Sequence, residues 1–448
     1  MTQTALSVFS LRRNNAHRRL WLTVILVLST VCFNACDSGQ SQSAANSPSV
    51  QTTATMTFSQ RLNTPRIAPV DPTSDELTES QRAMLAARPD YNIYKTLVRH
   101  VEMYNRWTPL GRVILNSSTL PARDREIIML RMGWLCQSEY EWAQHARIAT
   151  SENIGMTDAE IHSIAVGASA DNWNDWEKTL LTMVDELRYD TLISDSTWQK
   201  LAANYSKEEI IDAFFTAAQY QLVSMALNSI GIQLDPDLRH FLPADVPPPA
   251  LASMPASPRL SEPRLPPLLS EQWTDEQRQL IQPHIGDNGY ILNLYSTLLH
   301  HPALFEPRYT FGSYVQRDSS LPVQTRELLI MRTGWLIRAE YEWAHHYPTA
   351  LQAGFTEDEI RNIAIGPEAP EWSEEYAAVL RAADELRREA FISTNTWNTL
   401  SNYYSEKQLM EIIFTVGGYT MTGLAINNLG IQVEEGQGYP SFPDINSG

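Results

Sequence analysis

A glutamate and a histidine recur at the same spacing in two segments of this chain. Glu126 precedes His145 by nineteen residues, and Glu327 precedes His346 by nineteen residues. A carboxylate that bonds an imidazole fixes its tautomer, and the ring can then take or give a proton near neutral pH. The repeated pair predicts a proton-transfer site in each segment. The open alternative is that each glutamate pairs with a neighbouring arginine and each histidine lies on a helix surface.

The two members of a pair can meet only if the chain reverses direction between them. Along one straight helix, the spacing from Glu126 to His145 corresponds to about 28 Å of rise and about 100° of rotation. We predict that the chain breaks at Gly133 and forms a helical hairpin. On the second helix of this hairpin, Ser138, Glu141 and His145 are spaced by three and four residues, so they share one face.

The pairs belong to a longer repeat that covers most of the chain. Arg125 and Arg326 match at an offset of 201 residues, and Asp185 and Asp384 match at an offset of 199. A duplication with so long a period is typical of two tandem domains rather than of a solenoid.

Helix signals dominate both repeats. Thr157 and Glu160 form the pattern of a capping box, and Thr356 and Glu359 repeat it. Apolar residues follow helical spacing, and no hairpin dipeptide is flanked by alternating residues. The sequence therefore predicts an all-α fold with a helical bundle in each half.

Composition changes mark the predicted domain boundaries. A proline-rich stretch separates the two repeats and is typical of a stiff linker. The predicted organisation is an export signal at 1–36, a flexible tether at 37–60, a first domain at 61–242, a linker at 243–264, a second domain at 265–437 and a tail at 438–448.

The residues around the first pair resemble a known family. The order Arg-Glu, Arg, Glu-Tyr-Glu-Trp and His is followed by Gly-Met-Thr-Asp-Ala-Glu-Ile at residues 155–161, as in the carboxymuconolactone decarboxylase family. The resemblance covers nearly all of both repeats. It implies two tandem alkylhydroperoxidase D-like helical domains. Because members of this family form oligomers, it also implies a homo-oligomer or an internal pseudo-dimer of the two halves.

The branches of this family differ in their chemistry, and the difference lies on the helix face that carries the histidine. The peroxidase branch of the family has a Cys-x-x-Cys pair there, whereas this chain has Ser138 and Glu141 in the first repeat and Ala339 and Glu342 in the second. Cys136 lies two residues from the required position, and we interpret it as a structural, half-buried cysteine. Peroxide reduction by a thiol pair therefore does not fit either repeat.

What the resemblance implies instead is cofactor-independent acid–base chemistry, as a lyase or isomerase, on a small carboxylated or carbonyl compound. The glutamate–histidine pairs would be catalytic, with the histidine protonating a carbanionic or enolic carbon and Arg131 attracting a carboxylate. The implied ligand-contacting residues are Arg131, Ser138, Tyr140, Glu141, Arg332, Tyr341 and Glu342. The alternative function is a non-catalytic tandem scaffold that binds a small molecule or a partner.

The second repeat departs from the first at Pro348, two residues after His346. A proline inside a helix removes a hydrogen bond and kinks or ends the helix. We therefore expect His346 to point differently from His145 and the first site to be the better formed. Adjacent histidines such as His345 and His346 diverge on a helix, so we predict no metal site.

The N-terminus is typical of an exported protein. Arg12, Arg13, Arg18 and Arg19 precede an apolar run at residues 20–33, which ends before Cys36. The run is short for a transmembrane helix, which needs about 20 residues. The end of the run resembles a bacterial lipobox with Cys36 as the lipidated residue, which predicts a lipid-anchored protein facing the periplasm. The alternatives are a secreted protein and an uncleaved anchor.

The net charge limits the classes of partner that fit this chain, and the cysteine content limits its disulfide chemistry. The formal net charge of −18 argues against nucleic acid or an anionic membrane surface as the main partner. Of the three cysteines, only Cys136 lies beyond the export signal and its cleavage point. A disulfide within the folded domains is therefore excluded. The predicted partners are a small-molecule substrate and, through the lipid, a membrane; no cofactor is predicted.

Overall fold

The computed structural model describes residues 61–255 and 259–445. The predicted export signal, the lipidation site Cys36 and the tether lie outside these residues. Throughout the described ranges the secondary structure is helical and contains no β-strand, which confirms the predicted all-α fold.

Each repeat contributes nine α-helices to the described part of the chain. Those of the first repeat are α1 (Glu79–Ala86), α2 (Asn92–Leu97), α3 (Val101–Asn116), α4 (Ala122–Leu135), α5 (Glu139–Ala149), α6 (Asp158–Val166), α7 (Asp175–Tyr189), α8 (Asp195–Asn204) and α9 (Lys207–Ile230). Those of the second are α10 (Asp275–Ile281), α11 (Asn293–Leu298), α12 (Pro302–Ser313), α13 (Val323–Leu336), α14 (Glu340–Gln352), α15 (Glu357–Ile365), α16 (Glu374–Glu389), α17 (Thr394–Leu400) and α18 (Glu406–Leu429). Shorter helical turns lie at Val98–His100, Ser270–Gln272, Gln282–His284 and Tyr314–Asp318.

The predicted helix starts are confirmed by their capping contacts. The hydroxyl of Thr157 accepts a hydrogen bond from the backbone N–H of Glu160 at 3.2 Å, and the carboxylate of Glu160 accepts one from the N–H of Thr157 at 2.8 Å. Thr356 and Glu359 form the same box at the start of α15. Each box satisfies N–H groups that would otherwise lack partners in the first turn.

Helices α9 and α18 pack against each other at the centre of the protein. Both are long and apolar enough to cross a membrane, but the apolar part of each is entirely buried within the protein, as in a core helix. Gly417 permits their close approach, because a Cβ atom there would lie 2.5 Å from Cγ of Leu222. The contact joins the two repeats through one shared core.

Two buried histidine–carboxylate contacts link the repeats reciprocally. Nε2 of His301 lies 2.9 Å from the carboxylate of Asp212 in α9, and Nε2 of His100 lies 2.9 Å from the carboxylate of Glu411 in α18. The histidine of one repeat thus contacts the carboxylate of the other in both directions, as in the interface of a symmetric dimer.

Of the two expected effects of Pro348, a kink or an end of the helix, the second does not occur. Helix α14 runs from Glu340 to Gln352 with Pro348 inside it. Proline lacks only one backbone donor, and its φ angle is compatible with a helix. The residues on either side therefore maintain the helix.

Candidate functional site

Helices α4 and α5 form the hairpin that positions the first glutamate–histidine pair. Helix α4 continues through Gly133 to Leu135, and the chain reverses at Gln137, where φ is +50°. The predicted hairpin is confirmed, but its turn lies after Gly133. A Cβ atom at Gly133 would lie 3.2 Å from Cγ of Glu141, so the glycine allows the two helices to approach closely.

The hairpin brings each glutamate and histidine into direct contact. Oε2 of Glu126 lies 2.8 Å from Nδ1 of His145, and Oε2 of Glu327 lies 2.8 Å from Nδ1 of His346. All four side chains are buried. A carboxylate at this distance holds the proton on Nδ1, which directs the chemistry of the ring to Nε2. His346 therefore has the same carboxylate contact as His145, contrary to the expectation based on Pro348.

The two Nε2 atoms have different surroundings. The hydroxyl of Tyr419 lies 3.0 Å from Nε2 of His346 and forms a hydrogen bond with it. Both tyrosine rings pack edge-on against their histidines, with ring centroids 5.1 Å apart for Tyr419 and 4.6 Å apart for the equivalent Tyr220 and His145. Among the described residues, no hydrogen-bond partner of Nε2 of His145 is present, and the carboxylate of Glu141 lies 4.0 Å away.

A buried glutamate accompanies each histidine. Burial raises the pKa of Glu141 well above its usual value, the charge of Glu126 adds to this increase, and the hydroxyl of Ser224 opposes it. Burial also raises the pKa of Glu342, although the positive charge of His346 lowers it in part. A carboxyl group that stays neutral in this way can donate a hydrogen bond to a ligand.

A cavity of about 350 Å³ lies over Nε2 of His145. Tyrosine, tryptophan and aliphatic side chains from α2, α3, α5 and α9 form most of its wall, which also includes Glu141. Arg88, Arg112 and Arg147 also line it, and each is at least partly exposed. The cavity therefore combines an apolar interior with positive charge, which suits an anionic compound with an apolar body.

The cavity of the second repeat is smaller, with a volume of about 170 Å³, and it contains His346 and Glu342. Its walls lack the three arginines of the first cavity. The equivalent residues are His284, Ser313 and Pro348. His284 corresponds to Arg88 because it packs on Tyr295, as Arg88 packs on the equivalent Tyr94, and the other two follow from the 201-residue offset.

The structure places Arg131 and Arg332 away from these cavities. Arg131 forms two hydrogen bonds with the carboxylate of Asp185, at 2.7 and 2.9 Å, and two with backbone carbonyl groups of α6. Arg332 makes the equivalent contacts with Asp384 and with α15. Both guanidinium groups hold the hairpin against neighbouring helices, so the expected contact with a substrate carboxylate does not fit this geometry.

The remaining predicted ligand residues divide into two groups. Tyr140 and Tyr341 line the cavities, but their hydroxyl groups donate to the carboxylates of Asp235, at 2.5 Å, and Glu434, at 2.8 Å. Ser138 is buried and does not line the first cavity. Only the rings of the two tyrosines are therefore available to a ligand.

The sequence reasoning missed several cavity residues. Tyr220 and Tyr419 match across the repeats at an offset of 199 residues, but no spacing rule connects them to the histidines. The arginines of the first cavity come from α3, α5 and the loop after α1, which are distant along the chain. A comparison of the two repeats for positions that differ in charge would have identified them.

Neither a metal site nor a reactive thiol accompanies the pairs. Within residues 61–255 and 259–445, no group of three or more His, Cys, Asp or Glu side chains is arranged to hold a metal ion. Cys136 is fully buried rather than half-buried, and burial raises the pKa of its thiol.

Comparison with known families agrees with this architecture. Residues 102–185 and 302–385 each match the model of the Carboxymuconolactone decarboxylase family. The chain therefore contains two domains of that family in tandem. A comparison with curated proteins found no match.

Proposed function

We propose that the first cavity carries out cofactor-independent acid–base chemistry on a small carboxylated carbonyl compound, as a lyase or isomerase. The observation that supports this most strongly is the arrangement of His145. Its Nδ1 is held by Glu126 at 2.8 Å, while its Nε2 faces the cavity.

In the proposed reaction, Nε2 of His145 transfers a proton at the carbon next to a carbonyl group. For a decarboxylation, the bond to the carboxylate carbon breaks, carbon dioxide leaves, and the electron pair remains as an enolate. The Nε2–H of the imidazolium then donates its proton to that carbon. Glu126 orients the ring and stabilises its positive charge.

The groups around His145 have complementary roles in this proposal. Glu141, neutral because of its burial, donates a hydrogen bond to the enolate oxygen. Arg88 and Arg112 attract a carboxylate into the cavity, the role that the sequence suggested for Arg131. Arg147 is already paired with the carboxylate of Asp237 at 3.1 Å. The aromatic walls exclude water from the enolate.

The test uses carboxylated lactones and 3-oxo acids as trial substrates in deuterated water. We expect the wild-type protein to introduce deuterium at the carbon next to the carbonyl group or to release carbon dioxide, as measured by NMR. His145→Gln abolishes this activity, and His346→Gln, the matched control, retains it. Full activity of His145→Gln with any such substrate would refute the proposal.

A non-catalytic function is favoured for the second repeat by one observation. The hydroxyl of Tyr419 forms a hydrogen bond with Nε2 of His346, the atom that would have to contact a substrate. We therefore propose that the second cavity binds a small molecule without turnover. If His346→Gln removes all activity while His145→Gln removes none, this assignment of the two repeats is reversed.

We also propose that the protein is anchored in the bacterial envelope through a lipid on Cys36. The basic and apolar N-terminal sequence supports this proposal. Cys36→Ser is expected to abolish incorporation of labelled palmitate and to release the protein from the membrane fraction. Lipid incorporation by this variant would contradict the proposal.

A further inference from the structure

The second cavity contains a buried arginine that the first cavity lacks. Arg308 lies on α12, lines the second cavity, and is 9% exposed. The equivalent position in the first repeat is occupied by Trp107, which lines the first cavity. One repeat thus has an aromatic wall where the other has a fixed positive charge.

Arg308 has few protein partners. Its Nη2 donates a hydrogen bond to the hydroxyl of Thr422 at 2.6 Å. Among the described residues it forms no salt bridge with a carboxylate, although its positive charge reaches Glu342 in the same cavity and partly offsets the rise in pKa that burial causes there. Placing a charge in the protein interior is costly unless it is paired, so this guanidinium group is suited to an anion that enters the cavity.

The space around the guanidinium group is kept open by a glycine. A Cβ atom at Gly312 would lie 3.1 Å from Nη1 of Arg308, and both residues line the cavity. The equivalent Gly111 lines the first cavity, where Trp107 takes the place of the buried Arg308. The absence of a side chain at Gly312 therefore leaves room for the planar guanidinium group.

Shape and chemistry together limit the ligand. A cavity of about 170 Å³ holds about five or six water-sized groups. The guanidinium group presents N–H donors in a plane and binds a carboxylate through two parallel hydrogen bonds. The hydroxyl of Thr422 already donates to the backbone carbonyl of Gly418 at 3.0 Å, and that of Tyr419 bonds Nε2 of His346, so neither has a further proton for a ligand oxygen.

We propose that the second cavity is a binding site for a small carboxylate anion of about four to six non-hydrogen atoms, held by Arg308. The first cavity does not bind this ligand at the equivalent position, because Trp107 offers only a ring and one N–H, and that N–H donates to Gln219 at 3.3 Å. This inference rests on the proposed binding role of the second cavity and names its ligand, but it requires no turnover and does not depend on the acid–base reaction of the first cavity.

The experiment measures binding of acetate and pyruvate to the wild-type protein by isothermal titration calorimetry, with acetamide as the neutral counterpart of acetate. We expect a carboxylate site that depends on Arg308, in addition to any carboxylate binding in the first cavity, and no binding of acetamide. Arg308→Met weakens binding by about tenfold or more, because charged hydrogen bonds are among the strongest ligand contacts. Arg308→Lys retains part of the affinity. Lys407→Met, which removes an exposed positive charge outside both cavities, leaves the affinity unchanged.

A crystal of the wild-type protein soaked in pyruvate provides a test that does not depend on the folding of a variant. The carboxylate is expected to lie in hydrogen-bond contact with Arg308. Carboxylate binding only in the first cavity, equal binding of acetamide, unchanged affinity in Arg308→Met, or no binding by the wild-type protein would each overturn the proposal.

Discussion

The cavities of the two repeats share one glutamate–histidine geometry but differ in access to it. His145 faces a cavity of about 350 Å³ through Nε2, whereas Tyr419 bonds Nε2 of His346 in a cavity of about 170 Å³. The pair is part of a hairpin that also builds the core, so it is present in both repeats. The repeats differ at particular positions of the cavity walls, such as Trp107 and Arg308. The pair alone therefore does not define the function of a repeat.

The arginines of the two repeats show the same difference between scaffold and cavity. Arg131 and Arg332 form the same contacts in both repeats and support the hairpin. Arg112 has Ser313 as its counterpart, and Arg308 replaces Trp107. Positive charge that faces a cavity thus differs between the repeats, whereas positive charge within the scaffold does not.

The largest expected difference between the repeats concerns the carboxylate that orients each histidine. Glu126→Gln is expected to lower the rate of proton transfer by about 10²- to 10⁴-fold, because the imidazole loses its fixed tautomer and the stabilisation of its charge. Glu327→Gln, the matched control, retains the rate. The measurement is deuterium incorporation into the trial substrate, and equal effects of both variants would remove the proposed distinction.

The carboxylates between the repeats are expected to have a large effect on stability. Burial tends to raise the pKa of Asp212, but hydrogen bonds from His301 and Thr119 outweigh it and lower this pKa; the pKa of Glu411 is lowered in the same way. Their contribution to stability is therefore present above the pKa of the unfolded chain and is lost as the pH falls through the lowered native pKa values.

Asp212→Ala and Glu411→Ala are each expected to lower the free energy of unfolding by about 3 kcal/mol, because a buried histidine loses its partner. Chemical denaturation at neutral pH and again below pH 4, which is about the usual pKa of an aspartate, measures the loss under both conditions. The destabilisation is expected to shrink in acid. A destabilisation independent of pH would show that packing, rather than charge, links the repeats.

A smaller effect is expected from the neutral glutamates. Glu141 donates a hydrogen bond only while protonated, so activity is expected to decline as the pH rises through its raised pKa. Glu141→Gln keeps a hydrogen-bond donor that cannot ionise, so the decline in activity at alkaline pH is expected to disappear. The rate at lower pH is expected to change by about tenfold or less. Glu342→Gln has no effect on the pH–rate profile. An unchanged profile in Glu141→Gln would exclude a role for its proton.

The smallest effect is expected to be equal in the two repeats. Thr157→Ala and Thr356→Ala each remove an N-cap hydroxyl and are expected to lower the free energy of unfolding by about 1 kcal/mol. Thermal denaturation measures this change. Unequal losses would show that the scaffolds of the two repeats have also diverged.

Sequence reasoning anticipated the features that local rules determine. Capping residues such as Thr157 marked helix starts, and the spacing of Glu126 and His145 required a hairpin. The turn at Gln137 was misplaced to Gly133, because a glycine can serve either a turn or a close helix contact and the sequence does not distinguish them. The role of Arg131 was misassigned because its partner Asp185 lies on another helix. Long-range charge pairing of this kind has no periodic signal.

The most direct test of the difference between the cavities is chemical modification of the two histidines by diethyl pyrocarbonate, followed by peptide mass spectrometry. This reagent acylates an unprotonated imidazole nitrogen, and the free atom in each pair is Nε2. His145 is expected to react faster than His346, and Tyr419→Phe is expected to increase the reactivity of His346. Equal reactivity of the two histidines in the wild-type protein, or faster reaction of His346, would contradict the account.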